Sequence, residues 1–448
     1  MSYLCLFMKD MNTELIKAIL EKLQIESLKP MQAEMIKACR QNDQVILLSP
    51  TGSGKTLGFL IPVIEGLDPE VKDVQTLILA PSRELAMQIE RVFRQMSTGY
   101  KVVCCYGGHA VKIERDQLVE PPAVLIGTPG RILDHMERGR INAKTIRTLV
   151  LDEFDKSLEL GFTEEMSAII AKLDEVKRRF LTSATDAEIP EYTGMTNPVK
   201  LDFLPDTNIV SGLVLKQVKS YEKDKLDTLY RLLCELGAGQ KLVFCNYRET
   251  VERVSDYLLE QGIPNSIFHG GMEQPERERA LVKFRNGSTN IIVSTDLAAR
   301  GLDIPEIKHV VHYHLPNSED AFIHRNGRTA RMDAQGMAIL IIGPDEFLPE
   351  YVDEKTEHFS LSAETPEPAP AEWATLYIGK GKKDKLSKID IVGFLIHQGG
   401  LEKSDIGSIE LKEHYAYVAV RRSKFKPMFA KISDQRIKKM KTKFALSL

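Results

Sequence analysis

The chain has 448 residues, ordinary apolar and charged fractions and a formal net charge of −3. That length exceeds what one compact core accommodates, so two or three domains are expected, and no uninterrupted apolar run approaches the length of a membrane span, which argues against a membrane-spanning helix. The charge is unevenly spread: Thr375–Leu448 holds 17 lysines and arginines against 7 acids, while the rest holds 43 against 56, and a basic tail on an acidic body points to a polyanionic partner.

The six cysteines (Cys5, Cys39, Cys104, Cys105, Cys234, Cys245) form no CxxC pair and no metal-ligand spacing. They read as buried, reduced thiols of a cytosolic protein. The apolar patch Tyr3–Met8 has no basic lead-in and is too short for a signal peptide, so a soluble cytoplasmic protein is expected.

In chain order, Thr13–Leu23 spaces its apolar residues as a helix, Leu28-Lys-Pro-Met-Gln32 breaks it, and Ala33–Cys39 begins another. Val45–Leu48 reads as a buried strand of a parallel sheet and runs into Ser49-Pro-Thr-Gly-Ser-Gly-Lys-Thr56, after which a helix-compatible run starts at Leu57. This is the layout of a phosphate-binding loop. Thr51, Gly52, Ser53 and Gly54 would turn backbone N–H groups toward phosphate, Lys55 would reach the terminal phosphate oxygens, and Thr56 would offer a hydroxyl to Mg²⁺. Ser49 stands where the pattern asks for glycine. A plain Gly/Ser turn is the bland alternative, but the placement of Gly-Lys-Thr between strand and helix favours phosphate.

Short apolar segments then alternate with helix-length stretches: Thr76–Ala80, Lys101–Cys105, Ala123–Ile126, Thr148–Leu151 and Arg179–Thr182. The alternation argues for a doubly wound parallel sheet, whose ligands bind at the carboxyl ends of the strands. Asp152-Glu-Phe-Asp155 follows one such strand directly. One carboxylate there can hold the Mg²⁺ that accompanies a nucleotide, and a neighbour can orient and deprotonate the attacking water.

Irregular sequence around 205–212 reads as a hinge, setting the first domain at 1–204. A second α/β array follows at 213–348, with strands expected at Lys241–Cys245, Asn290–Ser294, Lys308–Tyr313 and Met337–Ile342, a helix at Val251–Glu260, and no phosphate loop of its own. Residues 349–373 lack helical or strand periodicity and read as a linker. Residues 374–448 form a small unit with strand-like Leu376–Ile378 and His414–Val420 and a helical Ile389–Leu395.

Taken together, these motifs resemble the DEAD-box ATP-dependent RNA helicases, with Asp152-Glu-Phe-Asp155 standing where that family has Asp-Glu-Ala-Asp. The resemblance spans about Phe7–Arg331 and implies two tandem RecA-like domains. It makes Asp152 the Mg²⁺-side acid, Glu153 the general base, and Asp155 the coupling residue to Ser183-Ala-Thr185. Phe154 departs from the family, which implies altered packing with the carboxylate spacing kept. Phe7, 17 residues before Gln24, matches the isolated upstream aromatic, and Gln32 the adenine-reading glutamine. Pro81-Ser-Arg83, Gly107-Gly108 and Thr128-Pro-Gly-Arg131 resemble RNA-contacting motifs. Individually they are ordinary turns, yet they offer cations and helix starts suited to phosphate. In the second array, Gln274 and Arg277, Thr295 and Asp303 within Ser294–Asp303, and His324, Arg328 and Arg331 within His324–Arg331 match in order. Arg328 and Arg331, three apart, would share a helix face as arginine fingers on the γ-phosphate, and Asp303 would lie near the ribose.

The tail resembles an RNA-recognition (RRM-like) α+β fold, and more specifically the C-terminal RNA-binding domain of DbpA-type bacterial helicases, through Gly381-Lys-Lys-Asp-Lys385, Asp390-Ile391, Asp405-Ile-Gly407 and Tyr417–Val420. That group implies large-subunit ribosomal RNA and ribosome assembly. Tyr377 and Tyr415 are the candidate base-stacking platforms, with half-buried strand tyrosines as the alternative. The expectation is thus a monomeric, cytoplasmic, ATP- and Mg²⁺-dependent RNA helicase that remodels structured RNA. An ATP-gated RNA clamp or chaperone and a DNA-directed ATPase stay open on sequence.

Overall fold

A computed structural model describes residues 3–50, 52–108, 111–204, 213–296, 307–329, 336–353 and 355–447, with side chains from 13 onward in the first stretch. The chain divides into two compact units, one holding the described residues up to Leu204 and the other those from Leu213 on. The expected hinge at 205–212 lies outside the described residues.

The first unit is built on a seven-stranded sheet, parallel throughout. In chain order its strands are β1 (Gln44–Leu48), β2 (Thr76–Leu79), β3 (Val102–Cys105), β4 (Val124–Gly127), β5 (Thr148–Leu151), β6 (Arg178–Ser183) and β7 (Val199–Asp202). They lie in the order β3-β4-β2-β5-β6-β1-β7. Both faces are buried because successive side chains point to opposite sides. Val45 and Leu47 enter a core with Met35, Phe59 and Phe93, whereas Ile46 and Leu48 enter a second core with Phe154, Ile169 and Leu181. Strand β6 therefore lies between the strand that feeds the phosphate loop and β5, which feeds Asp152.

The second unit repeats the plan. Strands β8 (Leu213–Lys219), β9 (Lys241–Cys245), β10 (Ser266–Phe268), β11 (Ile291–Thr295), β12 (His309–His312), β13 (Gly336–Ile342) and β14 (Glu357–His358) form a sheet ordered β10-β11-β9-β12-β13-β8-β14. The short β14 falls inside the expected linker: Glu357 and His358 pair with Lys216 and Gln217, and Gln217 Nε2 donates to Thr356 O at 2.8 Å. That stretch is laid along a sheet edge. In the same unit β15 (Trp373–Ile378), β16 (Ile406–Leu411), β17 (Ala416–Arg421) and β20 (Phe444–Leu446) make an antiparallel sheet, with β18 (Arg436–Ile437) and β19 (Met440–Lys441) as a separate hairpin. Helices Lys388–His397 and Arg422–Ile432 cover the face carrying Leu376, Ile378, Val418 and Val420.

Cys39, Cys104, Cys105, Cys234 and Cys245 are free and buried, as expected. Among the described residues no helix is long and apolar enough to cross a membrane.

Candidate active site

The phosphate loop leaves β1 with Ser49, whose N–H donates to Ser183 O on β6 at 3.0 Å and whose hydroxyl donates to Ser53 Oγ at 2.8 Å. Gly52 and Gly54 adopt positive φ, +81° and +96°. At Gly54 a Cβ would also lie 2.7 Å from Gln32 Nε2, so a side chain there would have to displace the Gln32 amide. Lys55, the first residue of the helix Lys55–Glu65, folds its ammonium back onto Ser49 O at 2.6 Å and Pro50 O at 3.3 Å. Thr56 follows on the same helix. Thr51 lies outside the described residues.

Gln32 is tied to this loop. Its Nε2 donates to Gly54 O at 3.0 Å, while its Oε1 accepts the Lys29 N–H at 2.9 Å, and Lys29 Nζ donates to Ser53 O at 2.9 Å. The helix Pro30–Gln41 thus opens against the phosphate loop. Lys29 was not singled out in the sequence, where it is one basic residue before a proline. Phe7 falls on the helix Tyr3–Leu23, but its side chain is outside the described residues.

Asp152 directly follows β5 and is almost wholly buried. Its Oδ1 accepts the Thr182 hydroxyl from the neighbouring strand β6 and the Glu153 N–H at 3.1 Å. Burial, reinforced by the adjacent Glu153 charge, pushes its carboxyl up to about 6, while the Thr182 bond and the Lys55 charge act the other way. Glu153 sits at φ +47°, a left-handed conformation that is strained for a residue with a side chain, and it opens the helix Phe154–Glu159. Asp155 Oδ2 accepts the Thr185 hydroxyl at 3.3 Å, and Ser183 Oγ donates to Thr185 O at 2.6 Å. Asp155, Ser183 and Thr185 are therefore in one hydrogen-bonded chain that continues through Ser183 O to the phosphate loop. Phe154, 1% exposed, packs with Ile46, Leu48 and Leu181 beneath the carboxylates. Thr182 escaped the sequence reading because only the β5–β6 pairing brings it to Asp152.

Pro81, Arg83, Gly108, Thr128 and Arg131 follow β2, β3 and β4, at the carboxyl edge that also carries the phosphate loop. Ser82 Oγ accepts the Leu85 N–H and caps the helix Arg83–Gln95, and Thr128 precedes the helix Pro129–Glu137. These helix starts present N–H groups toward anions.

In the second unit Gln274 and Arg277 open the helix Gln274–Arg285, with the Arg277 guanidinium 4.7 Å above the Phe268 ring, and Thr295 ends β11. The helix Glu319–Asn326 stops at Gly327, so Arg328 lies in the turn beyond it. This corrects the expectation of a helical face: a glycine C-cap intervenes before the first of the two arginines. His324 and Arg328 are both buried. Arg331 and Asp303 lie outside the described residues. Sequence reading missed Arg325, which is 1% exposed, forks onto Asp296 at 2.5 and 2.7 Å, and bonds Asn246 Oδ1 at 2.7 Å and His314 O at 2.6 Å. An arginine next to His324 gave no sign of being a core residue.

The tyrosines of the small sheet lie next to other elements of the same unit. Tyr377, Tyr415 and Tyr417 cluster with ring centroids 5.4–5.9 Å apart, but their face of the sheet rests on the helix Gln274–Arg285 and the turn after it. Tyr415 donates its hydroxyl to Glu278 Oε2 at 3.1 Å, and burial with the Glu278 charge pushes its phenol upward. Thr375 Oγ1 bonds Asn286 and Ser288 at 2.9 and 2.7 Å, and Arg422 Nη2 donates to Ser288 O at 2.9 Å. Tyr417 is buried, whereas Tyr377 and Tyr415 keep part of their surface exposed, the half-buried strand arrangement named above as the alternative. What the small unit does expose is charge. Lys382, Lys383, Lys385, Lys388, Arg436, Lys438, Lys439, Lys441 and Lys443 are all exposed, and Lys438 Nζ joins the two segments by donating to Lys385 O at 2.9 Å and Asp390 Oδ2 at 3.1 Å.

Residues 29–191 match the DEAD/DEAH box helicase model, 224–333 the helicase conserved C-terminal domain, and 375–445 the DbpA RNA binding domain. The chain is 33% identical over 417 residues to the ATP-dependent RNA helicase DbpA of Escherichia coli K12, covering 90% of this chain and 91% of that one. It is 34% identical over 342 residues to the DEAD-box ATP-dependent RNA helicase CshA of Bacillus subtilis, covering 75% and 69%. Among solved structures, Saccharomyces cerevisiae Dbp5 bound to RNA and ADP BeF3 is similar with a TM-score of 0.65 and 27% identity over 74% of this chain and 88% of that one.

Proposed function

This chain belongs to the DEAD-box ATP-dependent RNA helicases, in the branch with a DbpA-type RNA-binding domain, and on that premise we propose that it remodels large-subunit ribosomal RNA during ribosome assembly in the cytoplasm, acting as a monomer. It is an RNA-dependent ATPase and RNA helicase with two RecA-like domains and a small C-terminal RNA-binding domain. We take 1–204, 213–348 and 374–448 as its domains, with 205–212 as hinge and 349–373 as linker.

In this reading the phosphate loop holds the triphosphate through its N–H groups and Lys55. Gln32, already fixed to Gly54, orients the base-side wall, with Phe7 and Asp303 contributing to nucleotide contact. Asp152 is a buried carboxylate whose pKa is raised by burial and by the adjacent Glu153 charge, with Lys55 acting the other way. Asp152 and Thr56 would hold Mg²⁺, which when bound neutralises phosphate charge. Glu153 takes the proton of the attacking water, and Arg328 and Arg331 supply the cations for the transferred phosphoryl group. Asp155, Ser183, Thr185 and His324 carry the state of the phosphate to the RNA-contacting residues, among them Pro81, Arg83, Gly108, Thr128, Arg131, Gln274, Arg277 and Thr295.

For the small unit we place RNA on the exposed basic segments Lys382–Lys388 and Arg436–Lys443 in preference to the half-buried tyrosines. The observation that carries the ribosomal reading is the match of 375–445 to the DbpA RNA binding domain on a chain similar to DbpA over nearly its whole length. Crosslinking in cells followed by sequencing of the bound fragments tests it. Enrichment of large-subunit ribosomal RNA is expected, and a spread over messenger RNA without such enrichment would overturn it.

A further inference from the structure

Glu114 lies on the helix Val111–Leu118 and its side chain is wholly buried. An ionised carboxylate in that position must be paired and hydrogen-bonded, and it is. Its Oε1 accepts the backbone N–H of Tyr106 at 2.9 Å, and its Oε2 lies 2.7 Å from His135 Nε2 and 3.6 Å from Arg131 Nη1. His135 is also wholly buried, and its Nδ1 is 3.3 Å from Arg140 Nη1. A guanidinium only donates, so Nδ1 is the acceptor and the ring proton sits on Nε2, aimed at Glu114. The Cys105 thiol completes a group of three ligand-type atoms within 4.8 Å, but Arg131 already supplies the positive charge that a metal would bring.

Each partner leads to a different segment of the RNA-contacting set. Tyr106 precedes Gly107-Gly108, and Arg83 rests on that turn so closely that a Cβ at Gly108, where φ is +97°, would lie 2.2 Å from Arg83 Nη1. Arg131 belongs to Thr128–Arg131, at the start of the helix that also carries His135.

We propose that Glu114 is a positioning residue for RNA: its one buried carboxylate, clamped by His135, fixes the Gly107-Gly108 turn and the Arg131 guanidinium relative to each other so that both meet the same stretch of RNA backbone. The proposal rests on the reading of those loops as RNA contacts, and the test separates the two.

Glu114→Gln keeps the shape and an acceptor for Tyr106 but removes the charge facing Arg131. In full-length protein it is expected to raise the RNA concentration for half-maximal ATPase about tenfold while the rate at saturating RNA stays within about twofold. Arg131→Ala is expected to raise that concentration about tenfold by itself, and Glu114→Gln added to it to bring less than about a further twofold, because both act through one contact. His135→Gln, which still offers an N–H to the carboxylate, should stay within about twofold of the parent, whereas His135→Leu should weaken RNA about fivefold. That pair decides the matter if Glu114→Gln does not fold. If Arg131→Ala weakens RNA binding but neither Glu114→Gln nor His135→Leu does, or if the effects multiply, the positioning role is overturned while the loops remain RNA contacts. If Arg131→Ala leaves RNA binding unchanged, the reading of the loops falls, and the role of Glu114 with it.

Discussion

Thr182 donates its hydroxyl to Asp152 Oδ1 across the β5–β6 pair and accepts the Glu153 N–H at 3.3 Å, so one side chain on β6 holds both the Asp152 carboxylate and the backbone of Glu153. The bond favours the ionised form of a carboxyl that burial pushes up to about 6. The pH dependence of kcat/KM for ATP, which reports the free enzyme, should show an acid limb near 6. Thr182→Val removes the donor and should move that limb upward by about half a pH unit or more. An unmoved limb would detach Thr182 from the ionisation of Asp152. The stability sign runs oppositely to activity. Because the folded value is raised, the contribution of Asp152 to stability is fully present below its ordinary 3.8 and lost as pH rises through about 6.

Glu153→Gln keeps the size of the side chain but not its basicity. ATP affinity should persist, while RNA-stimulated turnover should drop at least about a hundredfold, as loss of a general base demands. Rapid-quench hydrolysis with ATP saturating provides the check. Turnover equal to the parent's would remove Glu153 from proton transfer.

Phe154 lies over a cavity of about 220 Å³ lined by Ile46, Leu48, Leu181 and Ile189, with Asp186 and Lys200 also on its wall. Phe154→Ala would leave a gap where the buried ring stood, joined to this solvent-open pocket. It should therefore cost about 3–5 kcal/mol of stability, read from urea unfolding of the first unit's transition. A loss below about 1 kcal/mol would mean that the segment after Thr185 closes onto the gap.

Lys438 and Lys439 form a turn at φ +47° and +66° on the exposed basic surface. Replacing both by alanine should lower the slope of log affinity against log salt by about 2 if each meets a phosphate. Tyr377→Ala removes no cation and should leave the slope unchanged. Fluorescence titrations at several salt concentrations distinguish these cases, and equal slopes for all three proteins would move the RNA off this surface.

Sequence made six strands of the first sheet legible because they are largely buried and appear as apolar runs, and because the phosphate loop and Asp152–Asp155 each follow one of them, whereas the edge strand β7, Val199-Lys-Leu-Asp202, is half-exposed and was missed. Strand β8 was not legible: Leu213-Val-Leu-Lys-Gln-Val-Lys219 is half-exposed and interrupted by lysines. The contacts that organise the site were also hidden, since Gln32 with Gly54, Thr182 with Asp152 and Arg325 with Asp296 depend on which elements become neighbours. The tyrosines show the converse limit. Alternation along β15 and β17 puts Tyr377, Tyr415 and Tyr417 on one face, but no periodicity can say that Tyr415 bonds Glu278 on the helix Gln274–Arg285.

The central claim is that ATP hydrolysis at this site answers to large-subunit ribosomal RNA through the C-terminal unit. The most direct measurement is steady-state ATPase of the full-length protein titrated with large-subunit ribosomal RNA, small-subunit ribosomal RNA and single-stranded DNA of matched length. The large-subunit RNA is expected to reach half-maximal stimulation at a concentration at least about tenfold below the small-subunit RNA, with DNA giving no stimulation. Equal stimulation by the two RNAs, or stimulation by DNA, would contradict it.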